Sequence, residues 1–155
     1  MAAGATGDDA PGVSAPLLLY AVKQVELAVR ALLDDLLRPT GITALQYTAL
    51  TVLDRRDGLT SAELARNSFV TPQAMRDLVT ALEKRGLIAR RHDPAHRRRL
   101  LIALTPAGRT LLAQTRDEVD ALEERMLDGL SEAERRAFRD YLNRARTALA
   151  GGPAQ

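Results

Sequence analysis

The chain has 155 residues, 46% of them hydrophobic and 27% charged, with a formal net charge of +2, enough for one soluble domain with a real core. It has no cysteine and no tryptophan, which excludes disulfides, thiol redox sensing and thiolate metal sites and fits a reducing cytoplasm. The longest apolar run, Leu17 to Val22, falls far short of the ~20 residues of a membrane span, and Asp8 and Asp9 precede the first basic residue, Lys23, so the start does not read as a signal peptide.

The first fifteen residues, "MAAGATGDDAPGVSA", are too small and polar to offset their ordering entropy, which predicts a disordered tail over 1–15. From Leu17 to Leu37, apolar side chains at Leu18, Ala21, Val22, Val25, Ala28, Val29, Leu32, Leu33 and Leu36 follow helical period with a broad stripe. Pro39 and Gly41 end that helix. Thr43 and Gln46 have capping-box spacing and open a second helix with Leu45, Ala49, Leu50 and Leu53 as its inner face. Thr60 and Glu63 repeat the box, with Leu59 and Leu64 placed as its hydrophobic staple, and start a short third helix.

A fourth helix begins at Thr71, with Pro72 in the first helical position, where a missing N–H costs nothing. Its inner residues read as Ala74, Met75, Leu78 and Leu82, and Gly86 supplies the left-handed stop. The period then changes. "LIARR" (87–91) and "LLIAL" (100–104), separated by "HDPAHRRR", read as a β-hairpin. Thr105-Pro106 opens a long helix carrying Leu111, Leu112, Val119, Leu122 and Met126. Ser131 and Glu134 form a third capping box before a last helix with Phe138, Tyr141, Leu142, Ala145 and Leu149. Residues 151–155 read as a frayed end.

Charge is not spread evenly over these elements. Residues 84–109 hold eight basic side chains and one acidic, a net +7 in a protein of net +2. Arginines packed this densely repel one another, and a basic patch on an otherwise acidic body is the footprint of a polyanion binder. The fold class that follows is mainly α, with an α+β centre. A winged helix-turn-helix core spans about 43–105, its wing is the two-stranded hairpin, and dimerisation helices flank it at about 17–37 and 106–149, all within one domain over 16–150. The hairpin holds its arginines clear of the body, where they reach phosphate or a minor groove. The long apolar stripes at both ends exceed what so small a core can bury, which predicts a two-fold homodimer.

Three stretches resemble the MarR family of bacterial transcription regulators: "ITALQYTALTVL" (42–53), "LTSAELARNSFVTPQAMRDLVTALEKRGLIAR" (59–90) and "DPAHRRRLLIALTPAG" (93–108). The resemblance runs from about Leu17 to Leu149. It implies a homodimer paired through its first and last helices, a winged helix offered to a palindromic operator in double-stranded DNA, and a small aromatic or lipophilic effector that relieves DNA binding. Many family members carry Asp-x-Arg at the wing tip. Here the arginine is Arg98 and the acid's position holds His96, with Asp93 as a substitute, which leaves the wing's resting conformation open.

On the fourth helix Thr71, Gln73, Arg76, Asp77 and Thr80 face outward, and Gln and Arg can read adenine and guanine edges from the major groove. Thr71, Gln73, Arg76 and Thr80 join Ser61 and Ser68 on the third helix and Arg90, Arg97, Arg98 and Arg99 on the hairpin as candidate DNA-binding residues. Tyr20, Lys23, Gln24 and Tyr47 are candidate ligand contacts, although the tyrosines read more readily as core or interface aromatics. His92, Asp93 and His96 lie within five residues, but a metal needs three or four convergent, supported ligands. They read as wing residues near phosphates, and no metal or cofactor is expected. There is no Ser-His-Asp pattern and no glycine-rich phosphate loop, so no enzyme is expected. A ligand-independent architectural DNA-binding protein and a helical protein-interaction module share the basic wing. A preference of ~10³-fold or more for one site separates a regulator from both.

Overall fold

A computed structural model describes residues 17–68 and 70–150. The tails expected at 1–15 and 151–155 lie outside the described residues. Six helices and one hairpin follow in the order α1 (Leu18–Leu37), a 3₁₀ turn (Arg38–Thr40), α2 (Ala44–Arg55), α3 (Ser61–Ser68), α4 (Pro72–Lys84), β1 (Ile88–His92), β2 (Leu100–Leu104), α5 (Pro106–Met126) and α6 (Glu132–Ala150).

Local hydrogen bonding explains where most helices begin. Thr43 Oγ1 accepts from Gln46 N at 3.1 Å while Gln46 Oε1 accepts from Thr43 N at 3.0 Å. Thr60 with Glu63, and Ser131 with Glu134, make the same reciprocal pairs. α4 and α5 use threonine caps followed by proline. Gly41 and Gly86 sit at φ near +75°, the left-handed turn that lets each preceding helix stop.

The strands pair antiparallel from Ile88 opposite Leu104 to His92 opposite Leu100. A third piece of backbone joins them. Leu59 and Ile102 exchange both N–H···O bonds, at 3.2 and 2.7 Å, which fixes the hairpin to the segment entering α3. Leu59, read from the sequence as half of a hydrophobic staple, thus also carries a strand bridge. The core lies where α1's end, α2, α3, α4, the hairpin and the start of α5 meet, with Leu37, Leu50, Leu53, Leu64, Met75, Val79, Leu82, Ile88 and Ile102 fully buried.

Two expected inner positions are corrected. Ala74 is exposed and Val79 is buried, because the inward arc of α4 runs Met75, Leu78, Val79, Leu82, and Ala74 falls about 100° off it. Leu45 is 42% exposed while its neighbour Ala44 is buried, so the buried arc of α2 starts one residue earlier. The strand expected to begin at Leu87 begins at Ile88, since Leu87 N still donates to Leu82 O in closing α4.

The segment "LTPAG" (104–108) earns its glycine by packing. Thr105 Oγ1 donates to Gly86 O at 2.6 Å and accepts from Gly108 N at 3.1 Å, which presses the first turn of α5 onto the chain leaving α4. A Cβ on Gly108 would collide with the Leu87 carbonyl oxygen and meet Leu104 Cδ2 at 3.0 Å. Gly108→Ala is expected to destabilise the protein by about 1–3 kcal/mol, the usual cost of overpacking. Thermal unfolding should show a Tm several degrees lower; an unchanged Tm would mean that α5 shifts freely off the chain leaving α4.

Candidate nucleic-acid interface

The outward arc of α4 carries Thr71, Gln73, Arg76, Asp77 and Thr80, all exposed. Their hydrogen bonds run along the helix rather than into the body. Arg76 Nη2 donates to Gln73 Oε1 at 2.6 Å, Gln73 Nε2 to Asp77 Oδ1 at 3.3 Å, and Thr80 Oγ1 to Arg76 O at 2.9 Å. Thr71 Oγ1 accepts from Ala74 N at 3.1 Å, as the helix cap. The polar groups of Gln73 and Arg76 are therefore held by one another in solvent, where exchange for a base edge costs little.

The hairpin settles how so many arginines coexist. Arg90 Nε lies 3.0 Å from Glu83 of α4, Arg91 Nη2 3.6 Å from Asp57, and Arg99 Nη2 2.7 Å from Glu63 of α3. Three of the hairpin's cations are thus matched by acids from three different places in the chain. Arg97 and Arg98, exposed in the turn, have no ion-pair partner among the described residues.

Asp93 builds that turn. Its Oδ1 accepts from Ala95 N at 2.9 Å, its backbone accepts from His96 N, and Asp93 N donates to Arg99 O at 2.8 Å. His92 Nδ1 lies 2.9 Å from Arg97 O across the loop. Asp93 Oδ2 stands 4.0 Å from Arg99 Nε, so the acid at 93 faces Arg99 and leaves Arg98 to solvent. The position held by His96 contributes backbone to the turn and no counter-charge. Among the described residues, no group of three His, Asp or Glu side chains converges as a metal site.

Ser61, the first residue of α3, is partly exposed. Ser68 departs from the sequence expectation. It is 9% exposed, because it follows Leu64 and Ala65 by four and three residues and so shares their buried arc. It cannot face DNA in this conformation, and its Oγ has no hydrogen-bond partner among the described residues.

Ser68 instead lines a groove of about 900 Å³ bounded by α1, α2, the α3–α4 junction, the end of α5 and α6. Val22, Val25, Val29 and Leu33 form its α1 wall, and Leu45, Val70 and Phe138 close other sides. Tyr20, Lys23, Gln24 and Tyr47 are not among the lining residues. Tyr20, Lys23 and Gln24 lie on other arcs of α1, roughly 100–160° from Val22, and Tyr47 packs against the core. The groove was missed because an amphipathic stripe gives the apolar face of a helix but not what stands opposite it.

Glu63 ties the wing to α3. Its carboxyl is held below the usual carboxylate range, first by the Thr60 backbone N–H of the capping box, which outweighs the opposing effect of burial, and then by the Arg99 and Arg66 charges. A carboxyl depressed on folding stabilises the fold at neutral pH, and that contribution disappears as pH falls through its folded value. Glu63→Gln is expected to keep the capping box, which accepts Glu or Gln, while freeing Arg99. The variant should stay folded, exchange its hairpin amides faster, and bind random duplex with a log K–log salt slope steeper by up to about one unit. Unchanged exchange and an unchanged slope would show that the ion pair does not hold the wing.

Comparison with known proteins agrees with this geometry. A family model described as MarR family matches residues 40–99. The HTH-type transcriptional repressor Rv2887 of Mycobacterium tuberculosis is 35% identical over 137 residues, covering 88% of this chain and 94% of that protein. The transcriptional regulator HosA of Escherichia coli is 28% identical over 116 residues, covering 75% and 82%. Among solved structures, CouR from Rhodococcus jostii RHA1 bound to p-coumaroyl-CoA superposes with a TM-score of 0.77 at 28% identity, over 90% of this chain and 96% of that one. The repressor CouR bound to a 23-mer DNA duplex superposes with a TM-score of 0.74 at 30% identity, over 83% and 92%. With its six helices, its two-stranded wing and a repressor relative matched over nearly its whole length, the chain belongs to the MarR family of helix-turn-helix transcriptional regulators.

Proposed function

We propose that the protein is a homodimeric repressor that binds a palindromic operator in double-stranded DNA and is released from it by a small lipophilic effector. The observation that carries the DNA reading is the pairing of α4's exposed hydrogen-bonding arc with a wing whose Arg97 and Arg98 have no ion-pair partner among the described residues. In this reading Gln73 and Arg76 read base edges in the major groove, with Thr71 and Thr80 beside them. Ser61 meets phosphate at the start of α3, and Arg97 and Arg98 meet backbone or minor groove. Arg90 and Arg99, engaged with Glu83 and Glu63, play the lesser part.

Dimerisation is supported by α1 and α6. Leu18 is 77% and Leu149 75% exposed in the single chain, an apolar area that water does not favour leaving uncovered. The effector reading is supported by the groove, whose size and mostly apolar lining suit a drug-sized molecule, and by CouR's capture of p-coumaroyl-CoA. The protein acts by binding rather than turnover, in the cytoplasm, and no described helix is long and apolar enough to cross a membrane.

Selection of sites from fragmented genomic DNA with the purified full-length protein tests the reading. A palindrome with half-sites one helical turn apart, preferred by ~10³-fold or more over random duplex, is expected. A flat profile, with binding that depends on salt and not on sequence, would leave an architectural protein.

A further inference from the structure

We infer that Arg85, which closes α4, is a positioning residue that fixes the separation of the two recognition helices in the dimer; this rests on the homodimer reading.

The last carbonyls of a helix lack intrahelical donors and attract cations. The end of α1 has no free cation of its own. Its last turn holds no basic residue, and Arg38 just beyond it is paired with Asp35. The donor comes instead from α4. Arg85 Nη2 donates to Thr40 O at 2.6 Å, a contact between residues 45 apart in the chain. The guanidinium lies close over Gly41, where a Cβ would stand 3.2 Å from Nη1. Arg85 has no ion-pair partner among the described residues, so its one observed task is to hold this turn.

The neighbours of Arg85 show what that task does. Glu83 pairs with Arg90 of β1 at 3.0 Å. Gly86 O accepts from Thr105 Oγ1 at 2.6 Å and Leu87 O from Thr105 N at 3.1 Å, at the start of α5. The end of α4 therefore meets the wing, α5 and the α1–α2 turn within residues 83–87. Two bonds hold the α5 side, one of them between backbones. On the α1 side, Arg85 to Thr40 is the only hydrogen bond among the described residues that joins α4 to the turn between α1 and α2. Without it, the unit built on α4 gains freedom to turn about Gly86 and Leu87 relative to α1. Gln73 stands about 18 Å along the helix from Arg85, so a turn of about 10° moves it by roughly 3 Å. Half-sites one helical turn of DNA apart require a fixed spacing of the two α4 helices.

The test reads that spacing directly. The chain has no cysteine, so Ala74→Cys, at an exposed position on α4, puts one nitroxide on each protomer. Dipolar spin–spin measurement on the full-length protein without DNA is expected to give a narrow distance distribution. Adding Arg85→Ala should broaden it by roughly 3 Å, the reach of a small rotation over that length of helix. Arg85→Lys, which keeps a cation and a donor, should recover most of the narrow form. In the unlabelled Arg85→Ala protein, operator affinity should fall about tenfold, as when a tenth of the population holds the competent spacing, while scrambled duplex binds as before. An unchanged distribution in Arg85→Ala overturns the inference. Joined to a salt slope shallower by about one unit, that result makes Arg85 a phosphate contact; joined to a lower Tm alone, it makes the bond a local brace. A monomeric mass with no dipolar coupling removes the dimer reading and the inference with it. Arg85→Gln, which loses the charge and the reach to Thr40, decides the matter if Arg85→Ala does not fold.

Discussion

Deleting residues 131–155 is expected to leave a monomeric or poorly soluble protein whose operator affinity has fallen by about 10²–10⁴, the loss that follows when the second half-site is no longer tethered to the first. The whole of α6 goes with this deletion, and no residue of α6 is buried in the single chain. Its apolar side chains Tyr141, Leu142 and Leu149 face outward, so the helix contributes little to its own protomer beyond Phe138 and Leu142 at the groove and the ion pairs of Arg135 with Glu124 and Arg139 with Glu123. Exposed pairs of that kind contribute ~0–1 kcal/mol each. In the proposed dimer, a helix held so loosely by its own chain keeps its place by packing against another copy. The core of α2, α3, α4 and the hairpin should survive the truncation. Light scattering on a sizing column reads the mass, and circular dichroism reads whether the remaining helices persist. A well-behaved dimer from the truncated chain would show that α6 is not the pairing element.

How much of this architecture the sequence carries depends on the range of each interaction. The capping boxes at Thr43, Thr60 and Ser131 each span three residues, so spacing alone reveals them. The hairpin is legible for a similar reason, as two short apolar runs around turn chemistry. The Leu59–Ile102 bridge and the Arg99–Glu63 pair join residues far apart in the chain, and no local pattern encodes them. The sequence therefore gives Glu63 one task, the capping box, where the fold gives it two. Ser68 shows an error of a different sort. It reads as a candidate DNA-binding residue on the third helix, yet helical period from Leu64 and Ala65 already puts it inward. The valines of α1 were legible as a stripe, but only the fold shows that α2 and the α3–α4 junction stand across from them.

The turn residues left without counter-charge lead to the second large effect, which separates Arg98 from Arg76. Arg98 lies in the exposed turn with no ion-pair partner among the described residues, on a hairpin anchored at Leu59 and Ile102. A guanidinium at the end of such a ribbon reaches phosphate or minor groove. Arg98→Ala should weaken specific and scrambled duplexes by similar factors and make the salt slope shallower by roughly one unit, since one fewer phosphate is neutralised. Arg76 stands one turn into α4, its guanidinium turned toward Gln73 at the helix start, where recognition helices meet base edges. Arg76→Ala should cost ~1–3 kcal/mol on the selected operator at one base pair per half-site and far less on scrambled DNA. Arg99→Ala is the internal control. Because Arg99 is engaged with Glu63 at 2.7 Å, its loss should change the salt slope less than the loss of Arg98 does. Titrating the three variants against both duplexes at two salt concentrations gives the answer. If Arg76→Ala weakens both duplexes equally, Arg76 contacts backbone and the specificity of α4 rests on Gln73 and its threonines.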